Sequence, residues 1–174
     1  MSFKFIKEIL GMPPAPFEWL DDNRCVFLVD DQWYGINVEE LILDTNPSRS
    51  VVNISFGRIG RSSFTSPDEL DLTLSGVGKP RYVLSTVGAA CIASSLIKTA
   101  DVICLAATDE HSLRRSPIYS IAASEIRQCV PGFGGTTMEM VKTPTGDLLT
   151  LIVKKTIDQP MRDLICTKLE LTKV

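Results

Sequence analysis

The feature that most constrains the fold is an unbroken apolar run, Val102–Ala106, with the sequence VICLA. A run without polar alternation is typical of a strand that is covered on both of its faces. A helical stripe precedes it, from Val87 to a predicted end near Lys98. A second helix is predicted to begin at Ser116-Pro117, with serine at the cap and proline in the first turn. A central strand between two helices predicts a mixed α/β domain.

Shorter segments on either side of this unit predict the rest of the sheet. Alternating or β-favouring stretches bounded by turn residues predict strands at Arg24–Asp30, Trp33–Val38, Val51–Phe56, Leu70–Leu74 and Arg81–Ser85. After the second helix, Thr136–Val141 and Leu148–Val153 predict a closing hairpin around Pro144-Thr145-Gly146. The tail after Pro160 fits either a strand or a short helix.

The predicted fold is therefore α/β (α+β) with a mixed sheet in a single domain, residues 1–174. Antiparallel strands come first, and a parallel strand-helix-strand crossover follows from Arg81 to Ala107. The C-terminal hairpin closes the sheet. A chain of 174 residues is long enough to bury one sizeable core.

Charge and composition argue against several classes of function. The formal net charge of −3 argues against non-specific electrostatic binding to nucleic acid. We interpret the basic cluster Arg58, Arg61, Lys79 and Arg81 as a solvated loop, with a local anion patch as the alternative. Residues 1–10 lack the continuous apolar stretch of a signal peptide, and no apolar run is long enough to span a membrane.

The cysteines and the histidine predict no metal site. The five cysteines form no C-x-x-C pair, and the single histidine, His111, has no nearby thiol. This pattern argues against both a zinc site and a disulfide scaffold. Four of the five cysteines lie among apolar or small residues, as buried cysteines do. A reducing cytoplasm is the expected compartment.

The predicted order of elements resembles the GNAT acetyltransferase fold. A closer resemblance is to a family of short bacteriophage proteins of unassigned function, with a Gly-x-Gly turn, a Thr-Val helix start, an apolar strand and an Arg-x-x-x-Tyr helix. The matching residues are Gly76–Gly78, Tyr82–Val87, Asp101–Ala107 and Arg115–Tyr119. The resemblance covers roughly residues 50–155. Residues 1–45 are an unmatched extension that we expect to pack on the sheet.

The GNAT resemblance implies a cofactor site at a helix N-terminus, where free N–H groups receive a pyrophosphate. The residues at the matching position are Ser85, Thr86, Val87, Gly88 and Ala89. Only the glycine and the alanines match the usual Arg/Gln-x-x-Gly-x-Gly/Ala loop. The alternative is that the threonine caps the helix and the small residues allow close packing. We therefore expect no cofactor, and acetyl-CoA if the enzyme interpretation holds.

The second predicted helix carries the remaining candidate site residues. The resemblance implies that Tyr119 protonates the leaving thiolate, since the pKa of a phenol is close to that of a thiol. The alternative is a tyrosine with its ring in the core. Arg114 and Arg115 are candidate anion contacts, or they pair with Asp109 and Glu110.

Three functions remain open from the sequence. The first, which we favour, is a phage-encoded GNAT-like protein that binds and modulates a host protein without acetyl transfer. The second is an acetyl-CoA-dependent N-acetyltransferase with a divergent pyrophosphate loop, and the third is a virion or assembly protein that forms a homo-oligomer. The aromatic residues Phe17, Trp19, Trp33 and Tyr34 either form a contact surface or seal the open end of the sheet.

Overall fold

The structure is a computed structural model that describes residues 13–71, 80–106, 123–124, 126–136 and 138–174. Its strands are β1 (Phe17–Trp19), β2 (Arg24–Val29), β3 (Gln32–Leu43), β4 (Arg49–Arg58), β5 (Val102–Ala106), β6 (Met138–Lys142), β7 (Leu148–Val153) and β8 (Thr172–Lys173). Its helices are α1 (Pro80–Ala93), α2 (Ser95–Thr99) and α3 (Gln159–Lys168), with a short 3₁₀ helix at Pro67–Glu69. Residues 123–124 and 126–129 are also helical.

The strands form one eight-stranded sheet in the order β1-β2-β3-β4-β5-β7-β6-β8. Neighbouring strands are antiparallel except for β4 and β5, which are parallel and pair Val51–Ile54 with Val102–Leu105. Helices α1 and α2 lie between these two strands in the chain, so the crossover is helical. The predicted mixed fold, with antiparallel N-terminal strands, one parallel crossover and a C-terminal hairpin, is confirmed.

Strand β5 is covered on both faces, as its apolar run predicts. Its odd-numbered residues, Ile103 and Leu105, belong to the core cluster that contains α1. Its even-numbered residues, Val102 and Cys104, pack in the cluster that contains Ile165 of α3. Successive side chains of a strand point to opposite faces, so one five-residue run serves both cores.

The predicted strand Arg81–Ser85 is wrong, because these residues lie in α1. The helix begins at Pro80, six residues before the predicted start near Thr86. Its buried apolar positions, Val83, Val87, Ala90 and Cys91, recur at helical spacing. This periodicity outweighs the weak β-propensity of the Tyr-Val-Leu sequence. The first strand of the parallel crossover is therefore β4, and the helix predicted to end near Lys98 is interrupted at Ser94.

The N-terminal extension also differs from the prediction, because residues 17–43 are part of the sheet rather than packed on it. The predicted hairpin between β2 and β3 is confirmed, but β3 is longer than predicted and ends at Leu43. The tail after Pro160 forms the rest of α3 and then β8 at the sheet edge. The predicted strand Leu70–Leu74 is described only to Asp71, which forms an isolated bridge with Arg58.

The aromatic residues near the N-terminus contribute to the core. Phe17 and Trp19 of β1 pack against the cluster beneath α1. Tyr34 stacks on Phe27 with ring centroids 5.3 Å apart. Trp33 packs on the opposite face, against the cluster of Phe64 and its neighbours. These contacts favour the interpretation that the aromatic residues seal the open end of the sheet over the alternative that they form a contact surface.

The loop of residues 59–71, which follows β4, folds back over β2 and β3. Phe64, which is fully buried, forms a small cluster with Val26, Ile59 and Leu70. The loop ends in a capping box, in which Glu69 accepts hydrogen bonds from the backbone N–H groups of Thr65 and Ser66. These hydrogen bonds hold the loop in place over one end of this sheet face.

Candidate binding groove

The residues predicted for catalysis and anion binding, Tyr119, Arg114 and Arg115, lie outside the described residues. The basic cluster is described only in part. Arg58 forms an ion pair with Asp71 at 2.5 Å, and Arg61 is 3.3 Å from Glu69. The interpretation of the whole cluster as a solvated loop is wrong, because Arg58 is the last residue of β4 and Arg81 lies in α1; of the described members, only Arg61 lies in the loop.

The predicted cofactor contacts, Ser85, Thr86, Val87, Gly88 and Ala89, lie inside α1 rather than at its start. Interior N–H groups of a helix are bonded to carbonyls of the preceding turn, so they are not free to receive a pyrophosphate. Thr86 is fully buried; its Oγ1 donates to the carbonyl of Tyr82 at 2.7 Å and accepts from the N–H of Ala15 at 2.9 Å. It fixes the N-terminal segment to the helix. These five residues do not fit the cofactor.

A groove of about 730 Å³ lies on the sheet face opposite α1. Its floor crosses the middle of the sheet, from Leu41 of β3 through Val51 of β4 and Cys104 of β5 to Leu149 of β7. Strand register places these residues on one face, since Leu41 pairs with Val51 and β5 pairs with both neighbours. Helix α3 covers the same face next to the groove.

The apolar part of the groove comes from distant parts of the chain. Leu169 and Leu171 follow the end of α3 and line the groove together with the four floor residues. Leu41, at the β3 end of the floor, remains 52% exposed, a high value for a leucine on a sheet face. This surface is therefore accessible to a partner of macromolecular size.

The polar part of the groove is acidic. Glu39, Glu40 and Asp147 line it, and none of its described lining residues is lysine, arginine or histidine. Glu40 Oε1 accepts from the Ser50 hydroxyl at 2.7 Å, and Asp147 Oδ2 accepts from the Thr145 hydroxyl at 2.9 Å. The Glu40 carboxylate, bonded to Ser50, lies on the opposite face of β3 from Leu41 and Val51, so the carboxylates of the groove face are those of Glu39 and Asp147. Without a cation among the described lining residues, they favour a positively charged ligand.

Cys104 is the one thiol among the described residues of the groove, and it is buried in the floor. Burial raises the pKa of this thiol to about 12. A thiol is nucleophilic only as the thiolate, so Cys104 is protonated and unreactive at neutral pH. The groove therefore offers apolar and electrostatic contacts rather than thiol chemistry.

Sequence reasoning did not predict this groove. Its residues range from Asn23 to Leu171 and meet only when the complete sheet has formed. One local signal was present, namely Leu41, Ile42 and Leu43 directly after Glu39 and Glu40. These apolar residues lie beyond the predicted end of the strand and follow two glutamates. Such a pattern indicates a longer strand whose end is exposed.

In the described part of the chain, no group of three or more His, Cys, Asp or Glu side chains could hold a metal ion. No helix within the same residues is long and apolar enough to cross a membrane. Comparison of the chain with protein-family models, with curated proteins and with solved structures finds no match.

Proposed function

We propose that this protein acts by binding another protein, in the groove on the sheet face opposite α1. The observation that carries the proposal is the combination of exposed apolar side chains with an acidic rim in one concave surface. The resemblance to short phage proteins adds that the partner is a host protein in the cytoplasm and that binding requires no acetyl transfer.

The arrangement of side chains supports a protein partner. An exposed apolar patch with polar residues at its border is typical of interaction sites. Protein interfaces place apolar contacts at the centre and charged groups at the rim. Here the apolar floor runs from Leu41 to Leu149, and Glu39 and Asp147 are the charged groups. We expect the carboxylates to increase the association rate of a basic partner and to make it sensitive to salt.

The test is capture from a bacterial lysate with a matched pair of variants. Leu41→Arg places a cation in the groove at an exposed position. Leu164→Arg makes the same change on α3, at a leucine that is 39% exposed and does not line the groove. Thermal unfolding of each variant confirms that the fold is retained. The captured protein is then purified, and its binding is measured directly.

The proposal predicts one captured protein that the wild type and Leu164→Arg retain and that Leu41→Arg loses. The loss of an apolar contact, together with repulsion between the new guanidinium group and a basic partner, is expected to weaken binding by about 2 kcal/mol or more. Equal capture by all three proteins would place the contact elsewhere. Recovery of no specific protein by the wild type would refute the binding function.

A second candidate, an acetyl-CoA-dependent N-acetyltransferase, is favoured by the parallel pair of β4 and β5 with its helical crossover. This order is the one that the GNAT resemblance implies. The helix start that a pyrophosphate would need is Pro80 rather than Thr86. Acetyl-CoA at 100 times its dissociation constant would stabilise the protein by about 2.7 kcal/mol, or roughly 5–10 °C in melting temperature. No shift would refute this candidate and leave the binding function standing.

A further inference from the structure

Strand β3 is longer than its neighbour β2, and this leaves part of its edge uncovered. The pairing of β2 with β3 ends at Arg24 and Asn37. One more contact follows, in which the N–H of Val38 donates to the carbonyl of Asn23 at 2.7 Å. Beyond it, Glu39–Leu43 pairs with β4 on one side, and no described strand lies on the other side. We call residues 39–43 the free edge.

The alternation of a strand determines which backbone groups this edge offers. Val38 directs its N–H and its carbonyl towards β2, where Asn23 bonds to both. Residues two and four positions further on face the same way, so the N–H and C=O groups of Glu40 and Ile42 point away from β4. The free edge thus presents two donors and two acceptors at the spacing that an added strand needs.

Two apolar side chains of the free edge are open as well. Leu41 is 52% exposed on the groove side, and Ile42 is 59% exposed on the other side. Sheet edges are usually protected by lysine, proline, a bulge or a covering segment. The sequence of the free edge, EELIL, contains neither lysine nor proline. Exposed apolar residues on both faces of an unpaired edge are typical of a strand that accepts a partner strand.

We propose that the free edge of β3 binds an extended segment of the partner protein as an additional β-strand. This inference rests on the proposed function and specifies how the partner is held. The added segment carries lysine or arginine at two successive positions, beside Glu39 and Glu40, and apolar side chains at the next two, beside Leu41 and Ile42. One face of the added strand extends the floor of the groove, because Leu41 belongs to both surfaces.

Charge complementarity is the reason to choose a basic partner segment over a second copy of this chain. Two copies that paired in antiparallel register about Leu41 would place Glu39 and Glu40 of each chain opposite Leu43 and Ile42 of the other, with no cation beside either carboxylate. Opposite charges on adjacent strands stabilise the pairing. The groove beside the edge adds the carboxylate of Asp147. All the charged residues that line this surface thus favour a cation.

The test uses a synthetic peptide as the probe, because the partner is not identified. The probe is a capped octapeptide in which two successive lysines are followed by two successive valine or isoleucine residues and the pattern is repeated, labelled for fluorescence anisotropy and mixed with the full chain. Two matched peptides serve as controls. One replaces every lysine by glutamate, and the other carries N-methyl groups on alternate residues, on the side that would face the free edge. Amide shifts of Glu40 and Ile42 in NMR spectra report where the probe binds.

A pair of variants tests the backbone contact from the side of the protein. Ile42→Pro removes one N–H from the free edge without removing a hydrogen bond to β4, since this N–H points away from β4. Ile42→Val retains the N–H and an apolar, β-branched side chain. If Ile42→Pro does not fold, the N-methylated peptide still tests the same hydrogen bonds with the wild-type protein.

We expect the lysine peptide to bind and to shift the amides of Glu40 and Ile42. The N-methylated peptide and the Ile42→Pro variant should each weaken binding at least about tenfold, whereas Ile42→Val should change it little. Binding that is unaffected by both changes would overturn strand addition, while loss in Leu41→Arg would still support the groove. Absence of peptide binding, or a dimer of the wild type that Ile42→Pro abolishes, would overturn the choice of a basic partner segment.

Discussion

Replacing Gly35 by alanine should destabilise the protein through a steric conflict beneath the loop that follows β4. A methyl group at this position would lie 2.7 Å from Cε1 of Phe64 and 2.8 Å from Cδ2 of Leu70. Ordinary contacts between carbon atoms are about 3.5–4.0 Å, so the new methyl group is roughly 1 Å too close to two buried side chains. Such overpacking costs about 1–3 kcal/mol. Restriction of the unfolded chain by alanine offsets about 0.4–1 kcal/mol of this loss.

The assay is urea or thermal unfolding of the variant beside Gly60→Ala. Gly60 is the matched control, because a methyl group there meets no atom within 4 Å and its φ is not positive. We expect the control to be neutral or slightly stabilised. A loss of about 2 kcal/mol in Gly35→Ala corresponds to a decrease of roughly 4–8 °C in melting temperature for a domain of this size.

A double variant separates the steric effect from other causes. Phe64→Leu removes ring atoms that approach Gly35, so Gly35→Ala should cost less in that background than in the wild type. The same cost in both backgrounds would refute the steric explanation. Equal effects of Gly35→Ala and Gly60→Ala would refute it as well.

Three further predictions follow from contacts in the described residues. Hydrogen bonds from backbone N–H groups lower the pKa of Glu69 to about 2, so its contribution to stability is present above pH 4.5 and is lost as the pH falls towards 2; Glu69→Gln should reduce this acid sensitivity in urea titrations. A thiol reagent should modify exposed Cys129 rapidly, and it should modify Cys104 only after unfolding, as mass spectrometry of the labelled protein can show. Thr86→Val should cost about 1–3 kcal/mol and speed amide exchange in the N-terminal segment, whereas Thr99→Val, at an exposed hydroxyl, should cost less.

Each of these expectations has a contrary result. Identical acid sensitivity of the wild type and Glu69→Gln would show that other carboxylates dominate. Fast labelling of Cys104 in the folded protein would contradict its burial in the groove floor. Equal losses in the two threonine variants would mean that the bond to the N-terminal segment contributes nothing.

The sequence predicts the centre of this fold well because the informative signals there are local. Val102–Ala106 is an unbroken apolar run, and such a run allows few structures other than a doubly covered strand. The hairpin of β6 and β7 was equally clear from its turn residues. Arg81–Ser85 was assigned wrongly because strand propensity is weak and a longer helical stripe includes Val83.

The candidate groove could not be predicted in the same way. Leu41, Cys104 and Leu171 come together only through the order of the strands and the return of the chain after α3. The free edge depends on where β2 stops relative to β3, and element boundaries are the least certain part of any sequence-based prediction. The site predicted at Ser85–Ala89 depended on the position of a helix start, and a shift of six residues placed it inside the helix.

The residues that line the groove are synthesised at different times. Strands β1 to β4 are consecutive hairpin neighbours, so their contacts are available as soon as they leave the ribosome. Leu169 and Leu171 emerge more than 100 residues after Leu41. Binding competence is therefore acquired last, and a nascent chain can order its N-terminal sheet without exposing a completed groove. A ligand that bridges Leu41 and Leu171 joins the earliest and latest parts of the chain, and its affinity adds directly to the stability of the C-terminal segment.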